Sequence, residues 1–316
     1  MNKHERVRAA IRGEEVDHVP AGFWLHFPKE MAFGEAAVDA HLDFYRETDV
    51  DLLKVMNEHL YRVESPVRTP ADWARWRPLK VKTSYLQKQV DIVKAVTDRL
   101  GGEVPIIATI HGVFISTFHG SKLPEETIFG HNLATEHLRH SPESVVPALN
   151  AVTETLIEWS LACLEAGADG IYYGAQGGEE HRFSEDIFLN YVKPYDLKVL
   201  EALRDKTDLL CLHICKDRTR LPLYKDFSAD VVNWAIHEGK YDLKEGRKLF
   251  EIALLGGLDD RSGVMVDGGE GEIAAEVRSL ISEFGKTSFI LGADCTLPTE
   301  MPLGKIRAAV SAARSL

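Results

Sequence analysis

Eight short, nearly unbroken apolar runs recur along the chain, separated by polar or glycine-containing turns and amphipathic stretches. They are 20-PAGFWLHF, 51-DLLKVMNEH, 105-PIIATIHG, 170-GIYYGAQGG, 209-LLCLHIC, 230-DVVNWAIHE, 252-IALLGGLDD and 288-SFILGADC. Runs of this length and continuity suit strands buried on both faces, as in a parallel sheet. Helical spacing of apolar residues marks 88-KQVDIVKAVTDRL, 187-IFLNYVKPYDLKVLEALRD, 270-EGEIAAEVRSLISEFG and 305-KIRAAVSAARSL. It also marks 147-PALNAVTETLIEWSLACLEAGA, with Gly167 placed to end that helix. Strands alternating with helices predict an α/β fold: a single (β/α)8 TIM barrel over residues 1–316 with an N-terminal helical extension. The rival, an open doubly wound sheet, normally shows a glycine-rich phosphate loop after its first strand, and none follows FWLHF. Residues 62–79 and 113–130 read as polar insertions after the second and third strands.

Composition narrows the partners. A formal net charge of −12 repels polyanions, so nucleic acid is not expected as a partner. No apolar run approaches the roughly 20 residues of a membrane span, so no membrane partner is expected either. The first twenty residues are charged throughout and lack an apolar core segment, which does not read as a signal peptide; a cytoplasmic location is expected. In a reducing compartment Cys163, Cys211, Cys215 and Cys295 are not expected to pair. Cysteines near histidine there bind metal or stay buried as small hydrophobes.

The polar residues that matter fall at strand ends. His26, His59, His111, His213 and His237 sit at or just beyond the carboxyl ends of five predicted strands, and His181 lies in the loop after a sixth. In a barrel those ends form the active face, so a shared polar pocket is expected. His213 and Cys215 are two apart, hence on one side of a strand, and Cys295 ends the last run. A barrel brings such rims together, and two thiolates with one imidazole suit zinc. Three protein ligands leave a fourth position open, the pattern of a catalytic site. His-x-Cys with a distant cysteine also arises by chance in chains that hold no metal. Cys211, about 13 Å further down the strand, reads as barrel packing, and Cys163 as helix core.

Several stretches resemble a known family. The opening 4-HERVRAAIRGEEVDHVPAGFW, the segment 105-PIIATIHGVFISTFHG, the unit starting 166-AGADGIYYGAQGGEEHRFSEDIF and the end 290-ILGADCTLPTEMPLGKIRAAVSAAR are similar to the uroporphyrinogen decarboxylase superfamily. That resemblance covers nearly the whole chain and implies a (β/α)8 barrel with a deep cleft at the strand carboxyl ends. True uroporphyrinogen decarboxylases carry an arginine-rich N-terminal segment that grips substrate carboxylates. The corresponding 20-PAGFWLHFPKE has no arginine. The other branch resembles methylcobamide:coenzyme M methyltransferases and the methyltransferase components of corrinoid-dependent demethylases, marked by His-x-Cys and a distant Cys. His213, Cys215 and Cys295 match that motif in type, order and strand position.

The resemblance implies a zinc-dependent, corrinoid-dependent methyltransferase that moves a methyl group from methylcobalamin, or from a methyl-corrinoid protein, to a small-molecule thiol or tetrahydrofolate. His213, Cys215 and Cys295 are the expected catalytic and metal residues. Glu238, or its neighbour His237, is expected as a fourth ligand before substrate arrives. Gln176, Glu179, Tyr173, Asp259 and His111 are the expected substrate contacts, with Asp259 or Asp260 also a candidate to orient His213. Three rivals stand beside this: a lyase acting on a tetrapyrrole or small carboxylate, a metal-dependent hydrolase, and a non-enzymatic corrinoid or tetrapyrrole binder. The hydrolase usually places His-x-His on its first strand, where this chain has only His26.

Overall fold

Seven of the eight apolar runs form parallel strands in the computed structural model, which describes residues 1–121 and 132–316. They are β1 (Leu53–Val55), β2 (Ile106–His111), β3 (Gly170–Ala175), β4 (Leu210–Ile214), β5 (Val231–Trp234), β6 (Ala253–Leu258) and β7 (Phe289–Ala293). Each pairs with the next in sequence order, giving a curled sheet β1-β2-β3-β4-β5-β6-β7. The first run is the exception. Residues 20–25 make isolated parallel bridges, Ala21 with Leu291 and Leu25 with Leu297, rather than a ladder. Gly22 donates to the Leu291 carbonyl at 2.9 Å, while Asp51 and Leu52 donate to the Ala21 carbonyl at 2.8 and 3.2 Å. The segment therefore touches both β7 and the approach to β1. Pro20 has no N–H to give, which shortens any ladder the run can form.

The helices follow the predicted spacing with two departures. The segments α1 (Lys3–Ile11), α2 (Gly34–Thr48), α3 (Gln87–Leu100), α4 (Val113–Gly120), α5 (Leu133–His140) and α6 (Pro142–Glu165) precede β4. The stretch predicted as one helix from 187 contains a wide π-type turn, Phe188–Val192, before the helix Lys193–Leu203. Pro194, at the start of that helix, has no N–H for the regular ladder, and the turn widens there. The insertion expected from 113 instead begins as helix α4, with Phe114 and Ile115 buried; its remainder, 122–130, lies outside the described residues. Helices Glu270–Phe284 and Leu303–Arg314 match their predicted spans closely.

Strand alternation divides the core in two. Ile171 and Tyr173 join the large outer cluster between sheet and helices, together with Leu212 and Leu254. Tyr172, Cys211, Val231, Ala253, Leu255 and Ile290 point inward with Trp24 and Leu52. Val7, Ala9 and Ala10 of α1 share that inner cluster. Arg6 pairs with Asp51 at 2.9 Å and Arg8 with Asp208 at 3.0 Å, both acids lying just before strands, so α1 covers the amino ends. The carboxyl ends are left for the site. Among the described residues no helix is long and apolar enough to cross a membrane.

Candidate metal centre and cleft

His213 lies near the end of β4 and Cys215 just beyond it; Cys295 follows β7 by two residues. Their ligand atoms all lie within 4.8 Å of one another, and among the described residues they are the only such group of histidine, cysteine and acidic side chains. Cys295 Sγ is 3.4 Å from His213 Nε2. The other ring nitrogen, Nδ1, sits 2.6 Å from Asn233 Oδ1. Asn233 is the direct partner of His213 in the β4–β5 register. Its amide nitrogen donates to the Leu255 and Ala293 carbonyls at 2.9 and 3.1 Å, which fixes Oδ1 as an acceptor. Oδ1 then takes the Tyr172 hydroxyl at 3.1 Å and the Nδ1–H of His213. That contact places Nδ1–H on Asn233 and turns Nε2 toward the sulfurs.

The thiols are coupled. A hydrogen bond from Cys215 holds Cys295 well below the usual thiol range, helped by His213, while the same contact and burial push Cys215 up. Two sulfurs beside an imidazole nitrogen form a donor set that fits a soft or borderline cation such as zinc.

The centre opens into a cleft of about 580 Å³, within the range of small-molecule sites. His26, His111, Gln176 and Glu238 line it. Glu238 is held by Arg261 at 3.0 Å and is not among the clustered donor atoms. His237 does not line the cleft; its backbone N–H and ring meet Asp294 Oδ2 at 2.6 and 3.0 Å.

Three expected substrate contacts are placed elsewhere. Tyr173 points into the outer core, where its hydroxyl donates to Asp196; alternation puts Tyr172 in the cleft instead. Glu179 is fully buried, accepting from the Gly177 N–H at 2.7 Å and pairing with Arg182 at 2.9 Å, so it builds its loop. Asp259 accepts from the Arg261 N–H at 2.8 Å and from the Ser262 hydroxyl, another loop-internal role; Asp260 lines the cleft. The carboxylate foreseen as the orienter of His213 is replaced by the Asn233 amide. His59 and His181 also lie outside the cleft, so the shared pocket holds three of the six histidines.

Lys54 went unread in the sequence. It is the middle residue of β1, only 4% exposed, and lines the cleft. Its ammonium lies 3.9 Å from the Tyr172 ring centroid and 4.8 Å from that of Trp24. Burial lowers it to about 8 although the cysteines favour its charge. Burial and then the Cys295 charge raise Asp260 to about 7, and burial lowers His111 to about 4.

Comparison with known proteins agrees with this architecture. The family model for uroporphyrinogen decarboxylase (URO-D) matches residues 54–316. The methylcobamide:CoM methyltransferase MtbA of Methanosarcina mazei is 24% identical over 255 residues, covering 80% of this chain and 70% of that protein. MtbA of Methanosarcina acetivorans is 23% identical over 227 residues, covering 72% of this chain and 62% of that protein. Among solved structures, a methyltransferase from Methanosarcina mazei superposes with a TM-score of 0.75 at 18% identity, over 100% of this chain and 98% of its own. A B12-independent methionine synthase from Shewanella sp. W3-18-1, in complex with selenomethionine, gives 0.58 at 14% identity, over 94% and 97%.

Proposed function

We propose, from the premise that this chain belongs to the uroporphyrinogen decarboxylase family, that it is a zinc-dependent methyltransferase. The methyl donor in this reading is a corrinoid, methylcobalamin or a methyl-corrinoid protein, and the acceptor is a small thiol or tetrahydrofolate. The first run then serves as the eighth strand of a (β/α)8 barrel, completing it between β7 and β1. The similarity to the two MtbA proteins supports methyl transfer and a corrinoid donor.

The observation that carries the reading is the meeting of His213 Nε2, Cys215 Sγ and Cys295 Sγ, with the imidazole oriented by Asn233. His213, Cys215 and Cys295 would hold the ion, leaving a position open to the cleft. Zinc held there supplies a Lewis-acidic site that lowers the pKa of an acceptor thiol, the thiolate being the nucleophile. The chain's own part is positional. Asn233 keeps His213 in one tautomer, Tyr172 stacks on the His213 ring at 5.2 Å, and the inner apolar cluster below keeps water from that side. Gln176, His111 and Glu238 line the space where donor and acceptor meet.

Metal analysis tests the reading. Purified protein is expected to hold near-stoichiometric zinc, lost in both Cys215→Ser and Cys295→Ser. Zinc-loaded protein is expected to demethylate methylcobalamin in the presence of thiols or tetrahydrofolate. Full activity after stripping with a strong chelator would favour the lyase instead.

A further inference from the structure

A second titratable side chain, His26, lines the cleft that holds the three-donor centre. Trp24 points inward, packing edge-on against Tyr172 at 4.9 Å, with Lys54 over both rings. In extended chain the residues two further on take the same side. His26 follows Trp24 in this way, and Met56 then Glu58 follow Lys54. His26 Nδ1 meets Glu58 Oε1 at 2.5 Å. The neighbouring Leu25 is bridged to Leu297, two residues past Cys295, and Leu297 donates to the Trp24 carbonyl at 3.0 Å. His26 is thereby tied to the segment that carries Cys295. The ring is 51% exposed at the side chain and lines the cleft.

This is the geometry of an oriented base. With Nδ1–H donated to a carboxylate, Nε2 is left as an acceptor, and the carboxylate balances the charge that a proton brings. Burial would raise Glu58, yet its contact with His26, with His111 and Lys54 nearby, holds it below the usual range, so it is an anion ready for that role. Other proton acceptors of the cleft are less suited. His213 is committed to Asn233 and Cys295, and Glu238 is paired with Arg261 at 3.0 Å. Asp260 lies 3.4 Å from the same arginine. His111, buried near Lys54, does not hold a proton at neutral pH. The groups facing the pair are His41, Lys54, His59 and His111, with Glu300 lining the cleft on the Cys295 loop.

We propose that His26, oriented by Glu58, is the base that takes the proton from the acceptor thiol. The inference rests on the methyltransferase reading and adds a residue to it. The S–H bond breaks, its electron pair stays on sulfur, and the proton passes to His26 Nε2. Methyl transfer then forms the S–C bond as the bond from the methyl carbon to its carrier breaks, that pair leaving with the carrier. Only after the methylated product leaves does the half-exposed imidazolium return its proton to solvent.

The test is calorimetric titration of zinc-loaded protein with 2-mercaptoethanol at pH 7, in two buffers of different ionisation enthalpy, which counts protons released on binding. Wild type is expected to release fewer protons per thiol bound than His26→Gln, with zinc content unchanged. Glu58→Gln should fall between. In turnover, His26→Gln should lower kcat/KM by about 100-fold at pH 7, the order of magnitude of general-base catalysis. That deficit should shrink as the pH passes the free thiol's own pKa. Equal proton release by wild type and His26→Gln, both holding zinc and binding thiol, overturns the base. Failure of wild type to hold zinc overturns the methyltransferase reading, failure to bind the thiol overturns the thiol acceptor, and the base falls with either.

Discussion

The Nδ1 of His213 and the Oδ1 of Asn233 lie 2.6 Å apart across directly paired positions of β4 and β5. Because the Asn233 amide nitrogen is spent on two carbonyls, this contact defines which imidazole nitrogen faces the sulfurs. Partners of this kind typically contribute 10–100-fold to metal affinity. Asn233→Leu, close in size and unable to accept, should therefore weaken zinc binding by about that factor. Competition against a chromophoric chelator measures it. Unchanged affinity would mean that the asparagine serves the packing inside the curled sheet rather than the ion.

The three-donor set was legible because its information is local. His213 and Cys215 share a strand face by alternation, and Cys295 ends a run whose length fixes its height. Seven of the eight expected strands were legible from apolar continuity; the first run, which starts at Pro20, forms isolated bridges instead. Asn233 and Lys54 were not legible. Each is one polar residue inside an apolar run, and whether it faces in or out depends on its strand's register, which composition does not give. The carboxylates failed for a related reason. Neighbouring acids such as Asp259 and Asp260 divide between loop and cleft according to backbone turns that only the fold supplies.

Lys54 is a buried cation with no hydrogen bond or ion pair among the described residues, held over two rings. Cation–π contact offers about 2 kcal/mol when desolvated. Burying an unpaired ammonium costs several kcal/mol, so the balance is unfavourable. Lys54→Met keeps the apolar stem and removes the charge. Metal-free Lys54→Met should melt a few degrees higher than wild type, at roughly 2–4 °C per kcal/mol. A lower melting temperature by differential scanning calorimetry would show that the rings and thiolates more than repay the burial.

Tyr172 and Tyr173 are adjacent, yet their hydroxyls serve different cores. The Tyr172 hydroxyl donates to Asn233, and the Tyr173 hydroxyl to Asp196. Tyr173→Phe strips a donor from a buried carboxylate and should cost about 1–3 kcal/mol of stability with zinc content unchanged. Tyr172→Phe should weaken zinc binding more than it alters the denaturation midpoint, because Asn233 loses a partner next to His213. The same effect of both variants on both measurements would refute the division of inner and outer faces.

Asp196 lies outside the cleft and provides a stability signature of its own. It is fully buried in the helix Lys193–Leu203, where Oδ1 accepts the Val113 N–H at 2.9 Å and the Tyr173 hydroxyl. Its Oδ2 has no hydrogen-bond partner. Burial raises its pKa from 3.8 to about 6, against the pull of those two donors. Between about pH 4 and pH 6 the folded chain therefore binds more protons at this group than the unfolded chain does. Linkage then makes its contribution fall as pH rises through that window, by ~3 kcal/mol in all. Below the window both states are protonated and the contribution is level; above it the loss is complete. Asp196→Asn keeps an acceptor for Val113 and Tyr173 but does not titrate. Its melting temperature should rise relative to wild type between pH 4 and pH 7, whatever its absolute offset. Parallel profiles for the two proteins across that range would show that Asp196 is ionised in the fold at its ordinary pKa, with its second oxygen reached by solvent.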